Sequence, residues 1–266
     1  MKIIFSRKGF DWANGGMPSP VMPDGTMLSF PIPSYDDDRF SRLEYNGETY
    51  QSLIEQLKSK NKINTTCCHL DPDIRRGIRK EPAKWVPIFG QADAALTHLD
   101  NQNVGPGDLF MFFGWFRKTE IKDGKLKYIS KEKDVHMMYG YLQVGQIARG
   151  DNCCKYSWHP HSYVGELNAM YVASDKLVID GMDTGLPGAG VFKYSPEVVL
   201  TKPGETRSRW LLPEFFKEVN ISYHSKDCFK NGYFQTVRIG QEFVVSEDER
   251  VTEWAKNIIL NNYDKY

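Results

Sequence analysis

The stretch that decides the fold is the beginning of the chain, Lys2-Ile3-Ile4-Phe5-Ser6-Arg7-Lys8-Gly9-Phe10-Asp11, followed by Gly15-Gly16-Met17-Pro18-Ser19-Pro20. Its consecutive apolar residues predict a buried strand. The loop behind the strand is stiff at its prolines and permissive at its glycines. Ligands often bind where strands end, and Arg7 and Lys8 would suit an anion there, above all a phosphate. The alternative is an ordinary first strand whose charges are solvated.

The charge balance limits the kinds of partner. The 266 residues contain 34 Lys and Arg and 34 Asp and Glu, so the formal net charge is zero. Without a global basic field, the chain is unsuited to hold long nucleic acid regardless of sequence. A site for a single nucleotide is still compatible with this composition. Aromatic residues make up 13% of the chain and can serve either the core or the stacking of bases.

The sequence predicts a cytoplasmic protein. It shows no signal peptide and no apolar run of membrane-spanning length. The 5 cysteines form no Cys-x-x-Cys motif, and the adjacent pairs Cys67-Cys68 and Cys153-Cys154 do not favour disulfides. Gly-x-Ser-x-Gly, Walker and His-Glu-x-x-His motifs are absent, so common hydrolase and kinase classes have no support.

Periodicity and turn residues predict one mixed α+β domain over residues 1–266, with a mostly antiparallel, partly barrel-like sheet. We expect helices over residues 47–60 and 92–99. The expected strands cover residues 27–33, 109–117, 137–144, 168–179 and 237–245. A C-terminal amphipathic helix should follow, with Ser246 as the N-cap of a capping box.

Two segments combine histidines with carboxylates: His69-Leu70-Asp71-Pro72-Asp73 and His159-Pro160-His161. If they approach each other, they could form a metal site of nitrogen and oxygen donors. Neither has a known ligand spacing, and polar, hydrogen-bonded loops are the favoured interpretation, so we predict no metal ligand. His69, Asp71, His159 and His161 are candidate general acid–base residues. The acidic run Asp36-Asp37-Asp38 is interpreted as a solvated loop.

Glu242 lies inside an apolar C-terminal strand, Arg238-Ile239-Gly240-Gln241-Glu242-Phe243-Val244-Val245. A carboxylate there must be paired or have a raised pKa, and both situations occur at active sites. Gln241 could orient a sugar hydroxyl or a base edge. The alternative is a structural salt bridge from Glu242 to Arg238.

Motifs in order along nearly the whole chain resemble a bacterial and phage family, the nucleotide modification associated domain 3. The motifs that carry the resemblance are Phe5 to Asp11, Gly15-Gly16, Pro18-Ser19-Pro20, His69 to Asp73, Phe89-Gly90-Gln91, Gly107 to Phe110, Phe113 to Arg117 and Gly240 to Val244. The resemblance implies an association with the modification of nucleotides or nucleic-acid bases, without a settled reaction.

Two further likenesses suggest mechanisms. Residues 104–113 and 139–144 are similar to base-reading barrels of the EVE and PUA kind, which grip a flipped base. Trp115 and Arg117 would then stack on the base and hydrogen-bond to it.

The second likeness is to ADP-ribosyltransferases, with Arg7 on an early strand and Glu242 on a late one. It implies NAD as the cofactor, with Arg7 on its phosphates and Glu242 on a ribose hydroxyl. The chain departs from that pattern because Gln241 is adjacent to Glu242 instead of two residues before it. It also shows no clear middle motif.

The sequence therefore predicts a nucleotide- or base-modifying enzyme, of the transferase class, with a nucleotide at the N-terminal strand end. The expected catalytic residues are Glu242, Gln241, His69, Asp71, His159 and His161. The expected substrate-binding residues are Ser6, Arg7, Lys8, Asp11, Gln91, Trp115, Arg117 and Arg238. The alternatives are a module that recognises a modified base without chemistry and a structural partner protein in a modification or defence operon.

Overall fold

The protein, seen in a computed structural model, is described for residues 1–57, 65–237 and 242–265. The α-helices are α1 (Tyr50–Leu57), α2 (Asp93–Asn101) and α3 (Glu249–Asn262). The strands are β1 (Ile3–Arg7), β2 (Ser19–Val21), β3 (Ile32–Arg39), β4 (Glu44–Tyr45), β5 (Glu48–Thr49), β6 (Cys67–His69), β7 (Ile88–Ala92), β8 (Leu109–Lys122), β9 (Lys125–Tyr128), β10 (Val135–Arg149), β11 (Asn168–Ala173), β12 (Val178–Ile179), β13 (Met182–Asp183), β14 (Ala189–Val191), β15 (Arg209–Trp210), β16 (Phe229–Lys230), β17 (Tyr233–Gln235) and β18 (Glu242–Val245).

The largest sheet has the strand order β18-β1-β8-β10-β11-β7, with β2 and β9 attached to β8 and β14 attached to β10. The first strand of the chain therefore lies inside the sheet. It pairs parallel with β8 and antiparallel with the last strand, β18. Among the strand pairs of this sheet, β1–β8 and β2–β8 are parallel and the others are antiparallel. The predicted mixed, mostly antiparallel α+β fold is confirmed.

The sheet is strongly curled. Six strands at about 4.8 Å spacing would separate β18 and β7 by roughly 24 Å in a flat sheet. Instead, Gln91 on β7 donates a hydrogen bond of 2.7 Å to Glu242 on β18. Among the described residues the two end strands meet through side chains and not through backbone pairing, so the sheet is partly barrel-like and not a closed barrel.

The two faces of the sheet carry different aromatic clusters. The inner face packs Phe89 of β7 against Phe110 and Phe112 of β8, at ring distances of 4.9 and 5.3 Å. On the outer face, Phe5 of β1 packs against Trp210 at 5.7 Å and against Trp254 of α3 at 5.8 Å. These buried rings fix the orientation of every side chain along β1, because alternate residues face opposite sides.

The predicted C-terminal amphipathic helix is confirmed in α3, whose buried residues include Val251, Ala255, Ile258 and Ile259. Its N-cap is Asp248, which accepts a hydrogen bond of 2.9 Å from the Arg250 backbone N–H. The prediction of Ser246 as N-cap is wrong. Ser246 Oγ instead accepts a hydrogen bond of 3.1 Å from the backbone N–H of Asn220.

Two other boundaries differ from expectation. The strand expected over residues 27–33 is wrong, since β3 begins at Ile32 and continues to Arg39. Proline has no N–H for a sheet ladder, and β3 begins directly after Pro31. The helix expected over residues 47–60 is α1, and residues 58–60 lie outside the described part of the chain. Among the described residues, no helix combines the length and the apolar character needed to cross a membrane.

Candidate functional site

The register between β1 and β18 brings the two ends of the chain together. Ser6 lies directly opposite Glu242 in the antiparallel pair. Directly opposed residues point to the same face of a sheet, so Ser6 and Glu242 share the inner face. Arg7 is the next residue of β1 and points to the outer face. Ser6 and Glu242 are far apart in the sequence, and only the pairing of β1 with β18 brings them together.

Glu242 is buried with a set of polar partners. Its side chain is 1% exposed, and its Oε1 lies 3.1 Å from Nζ of Lys8, which is 9% exposed. Gln91 Nε2 donates to the same oxygen at 2.7 Å, and Ser6 Oγ donates at 3.3 Å. Lys8 Nζ also lies 4.5 Å from the ring centre of Phe89. The result is a buried ion pair between an ammonium and a carboxylate, with an aromatic ring beside it.

A cleft of about 680 Å³ opens on the other side of β1. Its lining includes Arg7, Trp12, Trp115, His136 and Arg207. A volume of this size is in the range of pockets that hold small molecules. Two arginines and two tryptophans at one cleft combine groups for an anion with surfaces for a flat ring.

The two tryptophans of the cleft lie nearly parallel. The centres of the Trp12 and Trp115 rings are 6.4 Å apart, and the angle between the ring planes is 24°. The guanidinium carbon of Arg207 lies 3.8 Å from the Trp115 ring centre. Trp12 is 78% exposed, whereas Trp115 is buried and its Nε1 has no hydrogen-bond partner among the described residues.

The Trp12 loop is ordered by Asp11. One carboxylate oxygen of Asp11 accepts hydrogen bonds from the backbone N–H groups of Ala13 and Asn14, at 2.8 and 2.7 Å. Gly15 has φ of +92°, and a Cβ there would lie 2.3 Å from the Phe10 ring. Glycine is therefore required at this turn. Asp11, predicted as a substrate-binding residue, thus also shapes the loop that presents Trp12.

Burial shifts the pKa values of two side chains at the cleft, Arg7 and His136. Burial lowers the pKa of the Arg7 guanidinium, while the charges of Asp11 and Glu242 oppose that shift. Burial, followed by the charges of Arg207 and Arg7, lowers the pKa of His136 to about 3. His136 is therefore neutral at pH 7, and its Nδ1 accepts a hydrogen bond of 3.1 Å from Trp210 Nε1.

The two histidine segments of the sequence meet in a second cluster. His69 Nε2 and His161 Nε2 face each other at 3.1 Å. Ligand-capable atoms of His69, Asp71 and His161 all lie within 4.8 Å of one another. The segment with His159 and His161 forms a turn. These residues could hold a cation of modest size.

Asp71 is fixed at this cluster by β7. The backbone N–H of Gly90 donates a hydrogen bond of 2.6 Å to Asp71 Oδ1. Burial opposes ionisation of Asp71, but the nearby imidazoles of His159 and His161 and the charge of Lys8 outweigh it and lower its pKa. Asp71 is therefore a carboxylate at neutral pH. Its interaction with Lys8 links the histidine cluster to the Lys8–Glu242 pair.

The remaining predicted residues are distributed unevenly. Arg117 donates to the backbone carbonyl of Ile129 at 2.9 Å and lies in a neighbouring groove that shares Arg207 with the cleft. Gln91 joins Glu242 on the inner face. Arg238 and Gln241 lie outside the described residues. Among the described residues, Lys8 and Glu242 are not part of the cleft lining, whereas Arg7 is.

The sequence did not indicate several residues of these two sites. They are Trp12, His136 and Arg207 in the cleft, and Asp36 and Asn168 beside the histidine cluster. Trp12 directly follows the segment that ends at Asp11, and this position was the one local signal available. Asp36 belongs to the acidic run interpreted above as a solvated loop. The others have no motif around them, and only tertiary structure brings them to the site.

Comparisons with known proteins identify the family. Neither the curated proteins nor the solved structures include a significant match to this chain. A family model described as nucleotide modification associated domain 3 matches residues 2–246. This range contains β1, the cleft, the histidine cluster and β18. The chain therefore belongs to the nucleotide modification associated domain 3 family.

Proposed function

We propose that this protein is an enzyme of the transferase class that modifies a nucleotide or a nucleic-acid base. The nucleotide binds in the cleft at the end of β1. Arg7 and Arg207 contact its phosphate, and the base stacks on Trp12 and Trp115. The buried pair of Lys8 and Glu242 supports the chemistry from the other side of β1.

The observation that carries this proposal is the arrangement of rings and cations around one cleft. The ring centres of Trp12 and Trp115 are 6.4 Å apart, which lies in the range of about 4.5–7 Å usual for aromatic pairs in direct contact. Because Trp12 is 78% exposed, its open face is accessible to a base. Membership of a family associated with nucleotide modification supports the same ligand class.

The role proposed for Glu242 follows from its surroundings. Lys8 and Gln91 hold its carboxylate in one position, and its charge acts on Arg7 in the cleft. Charges fixed in a water-poor site stabilise a transition state without the cost of reorganisation. Glu242 therefore contributes a preorganised negative charge on the face of β1 opposite the cleft, and this charge acts on the nucleotide through Arg7.

Binding is tested by titrating the protein with nucleosides and the matching 5′-monophosphates while following tryptophan fluorescence. Trp12→Ala should weaken both ligands about 5- to 150-fold, the usual range for loss of one base stack. Arg207→Gln should weaken only the monophosphates. Tyr223→Ala, which removes another exposed ring stacked on a neighbour, is the matched control. Equal effects of Trp12→Ala and Tyr223→Ala, or no binding by the unaltered protein, would contradict the cleft assignment.

Catalysis is tested by incubating the protein with nucleotides and short oligonucleotides, with and without NAD, and reading products by mass spectrometry. The unaltered protein should give a mass-shifted nucleotide, and Glu242→Gln should bind ligand without forming it. Product formed equally by Glu242→Gln would remove Glu242 from the chemistry.

The second candidate function is recognition of a modified or flipped base without chemistry. The parallel tryptophans favour it as much as they favour catalysis, because stacking alone suffices for recognition. Stoichiometric binding of a modified oligonucleotide, with no product under any of the conditions above, is the result expected for such a module.

A further inference from the structure

The protonation of His69 is set by a neighbouring carboxylate. Asp36 Oδ2 lies 2.6 Å from His69 Nδ1. A carboxylate only accepts hydrogen bonds, so the proton of the neutral imidazole is on Nδ1. The Nε2 atom of His69 therefore carries a lone pair. Histidines that bind metals commonly have this arrangement, with the outer nitrogen donating to a carboxylate.

The protonation of His161 is set by Asn168. The Nδ2 group of Asn168 donates to the backbone carbonyls of His161 and Tyr163, each at 2.9 Å, which fixes the orientation of the amide. Its Oδ1 then faces His161 Nδ1 at 2.8 Å, and this oxygen can only accept. His161 thus carries its proton on Nδ1 and also presents a lone pair at Nε2.

Two lone pairs consequently face each other across 3.1 Å. This is unfavourable unless a positive charge lies between them or beside them. Two histidine nitrogens on one tetrahedral zinc ion, each at 2.0–2.1 Å, would be roughly 3.3 Å apart. The observed separation is near this value, and a carboxylate oxygen of Asp71 lies within 4.8 Å of a ring nitrogen of each histidine.

His159 supplies an independent observation. Its side chain is 0% exposed, its Nε2 has no hydrogen-bond partner among the described residues, and that atom lies 3.4 Å from Asp71 Oδ1. Its Nδ1 accepts the backbone N–H of His161 at 3.2 Å, so the proton of the neutral ring is on Nε2. A buried, unpaired donor aimed at Asp71 is suited to orient a carboxylate that binds a cation.

We propose that His69 Nε2, His161 Nε2 and a carboxylate oxygen of Asp71 bind a divalent first-row transition-metal ion, with Asp36, Asn168 and His159 as positioning residues. Two imidazoles and one carboxylate are a donor set of zinc and of non-haem iron(II) sites. Three protein ligands leave a position for water or substrate. The side chain of His69 is 23% exposed, so that position can be reached from solvent. This inference does not depend on the nucleotide cleft.

The competing explanation is a proton in place of the metal. One imidazole would then be charged, and an N–H···N hydrogen bond would join the two rings. This arrangement predicts no specific metal affinity and no change in metal binding when Asp36 is altered. The two explanations are therefore separated by metal titration alone.

The test uses the full chain, stripped with a chelator and titrated with Zn²⁺, Co²⁺ and, without oxygen, Fe²⁺. We expect one ion per chain and the visible absorption bands of bound Co²⁺. His69→Ala should weaken Zn²⁺ binding more than about 100-fold, and Asp36→Asn should weaken it about 10- to 100-fold. His98 is a half-buried histidine that forms a hydrogen bond with Ser222. As the control, His98→Ala should change the Zn²⁺ affinity less than twofold.

Thermal unfolding shows which variants are folded, and the Asp36→Asn comparison still decides the question if His69→Ala is unstable. The inference is overturned if the stripped protein binds none of the three ions, or if His69→Ala and His98→Ala bind them equally. Comparison of the three titrations identifies the preferred ion.

Discussion

Lys8 and Glu242 depend on each other because both are removed from water. A buried charge is tolerated when its partner and its hydrogen bonds are in place, and Glu242 has Ser6, Lys8 and Gln91 around one oxygen. The sequence suggested that Lys8 would bind phosphate directly. Lys8 instead lies 3.1 Å from Glu242 and does not line the cleft, whereas Arg7 does, so Arg7 is the residue that we propose for the phosphate.

Glu242→Gln should therefore destabilise the protein by about 3 kcal/mol, since it removes the carboxylate charge that lies 3.1 Å from the buried Lys8 ammonium. The double variant Lys8→Met with Glu242→Gln should recover part of that loss. Urea unfolding measures both. Asp123→Asn, which breaks the exposed pair with Lys127, should cost less than about 1 kcal/mol. Similar losses for the two single variants would mean that the buried pair contributes no more than a surface one.

His136 gives the protein a predictable response to acid. Its pKa is about 3 in the folded protein and 6.5 in the unfolded chain, so folding favours the neutral ring. The stability from this group is present above pH 6.5 and is lost as the pH falls toward 3, at about 1.4 kcal/mol per pH unit.

His136→Gln keeps an acceptor for Trp210 without a titrating group, and should flatten the decline of urea midpoints between pH 6.5 and 4. Parallel declines for the variant and the unaltered protein would show that His136 is not the group responsible.

Among the elements, β7 is closely constrained by its neighbours at Gly90. Its Gly90 contacts the ring of His161 so closely that a Cβ would lie 2.2 Å from a ring atom. The backbone N–H of the same residue donates to Asp71. One glycine thus places two of the proposed metal ligands.

Gly90→Ala should destabilise the fold by about 1–3 kcal/mol through overpacking, and should also weaken Zn²⁺ binding by displacing His161. Gly105→Ala is the matched control, because a Cβ at Gly105 meets nothing within 4 Å. It should change stability by less than about 0.5 kcal/mol. Calorimetric melting and zinc titration of the two variants measure these effects. Equal behaviour of the two would contradict the close packing of β7 on His161.

Elements with strong local patterns were the ones that could be predicted from sequence. The apolar periodicity of α3 and the long apolar run of β8 are both observed. The N-cap of α3 was assigned two residues early, because Ser246 and Asp248 are both good caps and only the contact with Asn220 decides between them. The predicted boundary of β3 was wrong for a similar reason, because local propensity does not show which segment pairs with another strand.

At the scale of the whole molecule, zero net charge means that a nucleic acid bound at the proposed cleft gains no long-range attraction from the rest of the chain. With Arg7 and Arg207 as its cations, binding of a single-stranded oligonucleotide should depend weakly on salt. The slope of log affinity against log salt should be about −1.4, as expected for two phosphate contacts. Fluorescence titrations between about 0.05 and 0.3 M salt measure it. A slope steeper than about −4 would require a far larger basic surface than the cleft provides.

The candidate sites were predictable only in part. The motifs around Arg7, His69, His161 and Glu242 were visible because each is an unusual local combination of residues. Their partners Arg207 and Asn168 have ordinary sequence surroundings, Asp36 lies in an acidic run typical of a solvated loop, and only the tertiary structure brings the three into place. A single sequence shows which residues are chemically suited to a site, but not which distant segments complete it.

The pairing of β1 with β18 also makes the buried ion pair a late event in the synthesis of the chain. Ser6 and Glu242 are separated by 236 positions, and a ribosome adding about 5–20 residues per second needs roughly 12–47 s to pass from one to the other. During that time the nascent chain carries Ile3, Ile4 and Phe5 without their final neighbour. A polypeptide interrupted before Glu242 cannot form the ion pair with Lys8, so it lacks the contact that joins the two ends of the chain.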